Sequence, residues 1–313
     1  MSNKYLYCQD LHCKGISPIR RLDNYYESWL LKFKEILFIA KKNKVDAIVD
    51  GGDTLDQPII STQMVDTILD LIEETNIPYY VLYGSHSMSG HHRNTSDGSS
   101  LTHMLNRCDL LKSDLTIEDK YAIFNLVEHE FGVEEQIKEK GLKTEGNDDK
   151  WKICVTHCMI TPTKFRPEVS HVVASELDTN YDLILTAHWH QPWNTKIGNT
   201  EFLNPGCIGR TEISEANTKP SVVLLDTKKR SYEIIELKKA KPGNQVFDLT
   251  KKDDEVERKN DLEDFISSLK GLKSQSLDLR GSIENIAKIN NTDREVVELI
   301  INKMSEIESL EVK

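Results

Sequence analysis

Histidine and aspartate recur together in five short groups along this chain: Asp10-Leu11-His12, Gly51-Gly52-Asp53 with Asp56 behind it, Gly84-Ser85-His86-Ser87, Thr156-His157 and His188-Trp189-His190. Imidazole nitrogens and carboxylate oxygens are donors that divalent transition metals take. Asp10, Asp53, His12, His157, His188 and His190, with His86 as a further candidate, outnumber the three or four protein ligands that one zinc ion uses. Two ions about 3.5–4 Å apart, sharing one carboxylate, would engage the whole set. Such a pair clamps the attacking and leaving oxygens of a phosphoryl displacement, and water bound to it loses its proton near neutral pH. Mixed nitrogen and oxygen donors suit manganese, iron or zinc over magnesium, which prefers oxygen and keeps its waters.

Every group follows a short run rich in apolar, β-branched or aromatic residues, at 5–7, 47–49, 79–83, 153–155 and 183–185. Such runs suit buried strands of a mostly parallel sheet. Loops leaving the carboxyl ends of parallel strands gather on one edge, where ligands bind, so the five groups are expected to meet there. Helices are predicted between the strands. Residues 24–42 place Trp29, Phe33, Ile36, Leu37 and Ala40 at helical spacing, and residues 61–74 do the same with Met64, Ile68, Leu71 and Ile72 behind a Ser61 N-cap. The charged stretch 134–150 reads as a helix and an exposed loop. Short strands at 201–203, 221–226 and 232–237 are expected to extend a second sheet. The fold class that results is α/β, a four-layer α-β-β-α sandwich.

The order of the groups resembles the calcineurin-like metallophosphoesterases, whose pattern runs Asp-x-His, Gly-Asp-x-x-Asp, Gly-Asn-His-Asp, His and Gly-His-x-His. Within that superfamily, Gly51-Gly52-Asp53-Thr54-Leu55-Asp56-Gln57-Pro58 looks like the corresponding segment of the SbcD-type nucleases of double-strand-break repair. Asn204-Pro205-Gly206-Cys207 is similar to their Pro-Gly-Ser turn, and Glu212 to Glu215 precede a hairpin as in that group. The resemblance spans roughly residues 4–240. It implies that Asp10, His12 and His190 hold one metal, that Asp53 bridges, and that His157 and His188 hold the second. His86 would contact the scissile phosphate and assist the leaving oxygen, and Asp56 would orient a ligating imidazole. Ser85 stands where the family has a metal-ligating asparagine, and Ser87 where it has an acidic residue. Ser85 remains the candidate ligand at that position. His91, His92 or Asn94 could supply a replacement, or could be ordinary loop residues.

The activity implied is that of a two-metal phosphodiesterase cleaving DNA, the nuclease subunit of an SbcC–SbcD-like complex. Two divalent ions are the implied cofactors, manganese first, with iron or zinc as alternatives. Implied partners are DNA, an SbcC-type SMC-like ATPase bound through C-terminal helices, and a second copy of the chain. Rival readings are a small-nucleotide phosphodiesterase or phosphoprotein phosphatase on the same centre, and a scaffold subunit with weakened catalysis, suggested by Ser85 and Ser87.

Length and composition permit one large domain with an appendage: 313 residues, of which 38% are hydrophobic. Neither a signal peptide nor a membrane span is legible, and the six cysteines lack the spacing of a disulfide framework, so a soluble cytoplasmic protein is expected. Cys13 or Cys158 could serve as a soft metal ligand, but packing behind the site accounts for them as well. A net charge of −11 argues against wrapping nucleic acid over the whole surface. A local basic patch remains open, built from Lys14, Arg20, Arg21, Arg93, Lys164, Arg166 and Arg210. Composition shifts at residues 239–243, which divides the chain into an expected catalytic domain, 1–240, and a charged linker with a mainly helical extension, 241–313. Helices are predicted there at 261–270, 282–289 and 293–309, the last opened by a Thr292–Glu295 capping box.

Overall fold

A computed structural model describes residues 2–89, 92–145 and 149–249. His91, part of the loop at 146–148 and the helices expected beyond residue 260 lie outside the described residues. The first sheet contains β1 (Lys4–Cys8), β2 (Ala47–Asp50), β3 (Tyr79–Val81) and β4 (Leu111–Lys112), parallel to one another. The second contains β5 (Thr116–Glu118), β6 (Ala122–Val127), β7 (Trp151–Thr156), β10 (Leu183–Thr186), β11 (Trp193–Ile197) and β12 (Thr200–Asn204). In it β6, β7, β10 and β12 run parallel, with antiparallel edges at β5 and β11. A small parallel pair, β8 (Ile160–Thr161) and β9 (Val172–Val173), stands apart.

Two expectations change here. The five motif strands do not share one sheet: β1, β2 and β3 belong to the first, β7 and β10 to the second. Residues 201–203 do lie in a strand of the second sheet. However, β13 (Ser221–Asp226) and β14 (Ser231–Glu236) return to the first, where β13 pairs antiparallel with β1, Leu6 opposite Leu224. There β13 is apolar on both faces: Val223 and Leu225 join the layer between the sheets while Val222 and Leu224 join the outer core.

Period-two side-chain placement sorts the core into layers. Tyr5, Tyr7 and Val49 of the first sheet meet Phe124, Ile153, Val155, Leu183 and Leu185 of the second. Leu6, Cys8 and Ile48 point the other way, onto α1 (Tyr25–Asn43), α2 (Thr62–Glu73) and α3 (Ser100–Arg107). Cys154, Ile184 and Phe202 leave the outer face of the second sheet toward α4 (Val133–Lys140) and the β8–β9 pair. The architecture is therefore the expected α-β-β-α sandwich. The predicted Ser61 N-cap forms, accepting from the Met64 N–H, and Asn24 caps α1 in the same way by accepting from the Glu27 N–H. Compact packing continues through Asp248, where α5 (Gly243–Val246) brings Val246 and Phe247 into buried positions beside Ala216. Among the described residues no helix is long and apolar enough to cross a membrane.

Candidate metal centre

Past the ends of β1 and β2 the two chains stay zipped together by main-chain hydrogen bonds. Asp10 N donates to Gly52 O at 3.0 Å, His12 N to Asp53 O at 2.8 Å and Cys13 N to Thr54 O at 2.8 Å. Asp10, His12 and Asp53, and His188 across the site, all hold positive φ, between 48° and 74°. Non-glycine residues persist there only where surrounding bonds over-determine the backbone, a habit of functional sites. Two glycines make room for ligands. A Cβ on Gly52, itself at φ +103°, would lie 2.6 Å from His157 Nδ1, and one on Gly84 would lie 2.2 Å from Asp53 Oδ1. Gln9 links the two sheets, donating to Asp10 Oδ2 at 3.0 Å and to Asn204 Oδ1 at 2.9 Å. His188 N points to the same Asp10 oxygen at 3.2 Å.

The structure brings Asp10, His12, Asp53, His157, His188 and His190 to one place. Asp10, His12 and Asp53 offer ligand atoms all within 4.8 Å of one another, and so do Asp53, His157 and His188. Asp53 belongs to both sets, the position a bridging carboxylate needs. Hydrogen-bond partners assign the tautomers. Gly51 O can only accept, so His157 Nδ1, 2.8 Å away, carries the proton. His157 Nε2 then faces Asp53 Oδ2 at 3.0 Å, both groups buried. His12 Nδ1 faces Asp56 Oδ1 at 3.1 Å and His190 Nδ1 faces the Glu215 carboxylate. Both therefore turn bare Nε2 atoms on each other at 3.0 Å. Two nitrogens so opposed share either a proton or a metal ion between them. Two ligands bound to one ion at about 2.1 Å lie roughly 3.0–3.4 Å apart, so the donor set fits divalent metal.

Electrostatics supports the same reading. Burial alone would raise the Asp53 carboxyl, but the charge and hydrogen bond of His157, then the charges of His12 and His86, hold it well below the usual carboxylate range. Burial would lower His157, yet Asp53 pushes it up to about 9. His188 is held well below the ordinary imidazole range by burial and then by its neighbour His157. Without a metal Asp53 and His157 thus form a buried ion pair; a metal takes the neutral imidazole, the form His188 already holds, and would displace the proton of His157.

The remaining sequence candidates divide. Asp56 orients His12 as expected and is itself gripped by Lys14 Nζ at 3.0 Å. Ser85 is buried beside the site, its hydroxyl donating to Asp53 Oδ2 at 3.0 Å. His86 is exposed, and its Nδ1 donates to Asp56 O at 2.8 Å, leaving Nε2 for a ligand. His92 and Asn94 are exposed, His92 packed on Phe131 and Asn94 in a short 3-10 helix, Arg93–Gly98. Burial raises the Cys13 and Cys158 thiols well above their ordinary value, which makes them packing residues. Of the basic residues, Arg21 and Arg210 are interior: Arg21 grips Asp23 at 2.8 Å and the Arg210 carbonyl at 2.9 Å. Arg93 pairs with Glu128 at 3.0 Å, while Lys164 and Arg166 stay exposed.

Two residues escaped the sequence reading as site members. Glu215, 1% exposed, holds His190. Its segment was noted, but nothing in the sequence joined it to a histidine 25 residues away. His129 is buried, its ring centre 5.4 Å from that of His188 and 6.0 Å from that of His157. It follows β6 much as His157 follows β7, and the alternation in residues 122–127 was the signal available.

Comparison with known proteins places this arrangement. An archaeal phosphodiesterase is 16% identical, the likeness covering 75% of this chain and 99% of that one with a TM-score of 0.41. A dimetal phosphatase from Danio rerio is 10% identical over 75% of this chain and 98% of its own, TM-score 0.48. A protein from Thermus thermophilus is 14% identical over 76% of this chain and all of its own, TM-score 0.43. No curated protein matches. Residues 7–230 match the family described as the calcineurin-like phosphoesterase superfamily domain. With a match over most of its length and a ligand set that fits two metals, the chain belongs to the calcineurin-like phosphoesterase superfamily, a dimetal-dependent group of hydrolases.

Proposed function

We propose that the chain is a two-metal phosphodiesterase that cleaves DNA, working as the nuclease subunit beside an SbcC-type ATPase. The observation that carries the hydrolytic part is the pair of ligand sets sharing Asp53. When bound, two ions supply an activated water and charge stabilisation for the leaving oxygen. Asp10, His12 and His190 would hold the first position, Asp53 would serve both, and His157 and His188 would hold the second. His86 is exposed beside the cluster and fixed as the Nδ1–H tautomer by Asp56 O, which leaves Nε2 to meet a substrate oxygen. DNA as substrate is supported by a basic and aromatic rim: exposed Lys164 and Arg166 flank Phe165, whose ring centre is 6.2 Å from that of Trp189, between the two histidines of the last motif. Residues 241–313 are assigned to partner binding, and a second copy of the chain to a homodimer.

The test is manganese-dependent cleavage of linear duplex DNA by metal-loaded protein, alone and with its partner ATPase. Inactivity in both settings would sink the proposal. A second reading, a phosphodiesterase or phosphatase on small nucleotides or phosphoproteins, draws support from the internal pairing of Lys14, Arg21, Arg93 and Arg210, which engages four members of the expected basic patch within the protein. Turnover of a chromogenic phosphodiester with indifference to DNA would favour it.

A further inference from the structure

We infer that His129 replaces the asparagine that Ser85 displaced, so that Asp53, His129, His157 and His188 together form the second metal position. The inference rests on the two-metal reading above and names a ligand which that reading lacks. Ser85 is poorly placed to ligate, because its short side chain already donates to Asp53 Oδ2. His129 is delivered to the same spot by main-chain bonds. Its N–H donates to Tyr83 O at 3.0 Å, two residues ahead of Ser85, and the neighbouring Glu128 carboxylate accepts from Tyr83 N at 3.4 Å. Arg93 braces that join, pairing with Glu128 at 3.0 Å over the Tyr83 ring, 3.9 Å from its centre. His157 is registered on the same stretch, its N–H donating to Val127 O at 3.0 Å. The segment after β6 thus carries His129 to the exit of the first sheet and fixes it against the second.

Three imidazoles then form a compact triangle. Ring centres of His157 and His188 are 5.1 Å apart, those of His129 and His188 5.4 Å, and those of His129 and His157 6.0 Å. Imidazoles sharing one ion through bonds of about 2.0–2.1 Å hold their ring centres roughly 5 Å apart, which the two pairs made by His188 approach; the donor atoms of Asp53, His157 and His188 already lie within 4.8 Å of one another, and His129 joins them by a turn of its side chain toward His157. His129 and His157 are both buried. Packing alone would account for one interior histidine, but it gives no reason for three to gather beside a buried carboxylate. Exchanging an amide oxygen for a ring nitrogen also changes the chemistry. The second position gains softer donors and favours zinc, iron or cobalt over manganese.

The experiment is a cobalt titration of the full chain, followed by calorimetry and by visible absorption, with folding checked by circular dichroism. Two Co²⁺ per chain are expected in the unaltered protein. His129→Ala and His129→Gln should each weaken the second ion at least about tenfold and change its absorption bands, leaving the first ion unchanged. Adding Ser85→Asn to His129→Ala should restore the second ion. His129→Gln keeps a polar side chain of similar length, so the test survives if the alanine variant fails to fold. Two ions bound with unaltered affinity and spectrum in the His129 variants would overturn this inference alone. One ion or none in the unaltered chain would overturn the two-metal reading as well. Neither result depends on DNA cleavage.

Discussion

At Asp53 a single carboxylate organises its surroundings: Oδ1 accepts from His86 N at 2.8 Å, and Oδ2 accepts from Ser85 and faces His157. Orientation of the imidazoles is delegated to groups one step further out, and those groups can be tested separately. Glu215→Gln removes the charge behind His190 and should cost the first metal about 10–100-fold in affinity, read by calorimetry. An unchanged affinity would show that Glu215 serves only its own turn, where it also accepts from Glu212 N. His86→Ala should lower kcat by about 10²–10⁴ while metal content stays at the level of the parent protein. Loss of metal in that variant would instead make His86 a ligand. The ligands themselves were legible because each sits in a short motif after an apolar run. Glu215 and His129 were not, since each is an isolated residue brought to the site by tertiary pairing.

Helix α1 was readable from its stripe, yet one of its buried residues was not apolar. Lys32, 1% exposed, donates its Nζ to the Ile208 and Gly209 carbonyls, the latter at 2.9 Å, and Gly209 N in turn donates to Asp10 O at 2.9 Å. The helix thereby anchors the turn that supports Asp10. Burial, then repulsion from Arg210, lowers the Lys32 ammonium from 10.5 to about 7. Between those two values the unfolded chain binds one more proton than the folded one, so stability rises with pH across that window. Relative to Lys32→Met, the parent protein should gain stability from pH 7 upward with a slope of up to about 1.4 kcal/mol per pH unit, measured by denaturant unfolding. Parallel curves for the two proteins would refute the assignment. Gly84→Ala should destabilise by about 1–3 kcal/mol, because its Cβ has nowhere to go but into Asp53. Such close approaches belong to the folded loops, and a sequence shows only that a glycine is there.

The whole molecule places its ligands on both halves of the sandwich: Asp10, His12 and Asp53 follow strands of the first sheet, and His157, His188 and His190 follow strands of the second. Runs buried on both faces carry no mark of which sheet they enter, which is why the split between sheets was not read from composition or periodicity. Metal bound by this set would tie the two sheets together. Loading the protein with manganese at about 100 times its dissociation constant should stabilise it by about 2.7 kcal/mol per site, seen as a higher calorimetric midpoint than in chelator. Coincident midpoints would show that neither site is formed in the folded state. The layer between the sheets, with Tyr5 and Phe124 packed at 4.7 Å between ring centres, acquires a second role from this arrangement. It works as a spacer gauge. Thinning or thickening that layer shifts one set of ligands against the other, so interior volume and the separation of the two metal positions become a single variable, and a substitution far from any ligand can retune the chemistry.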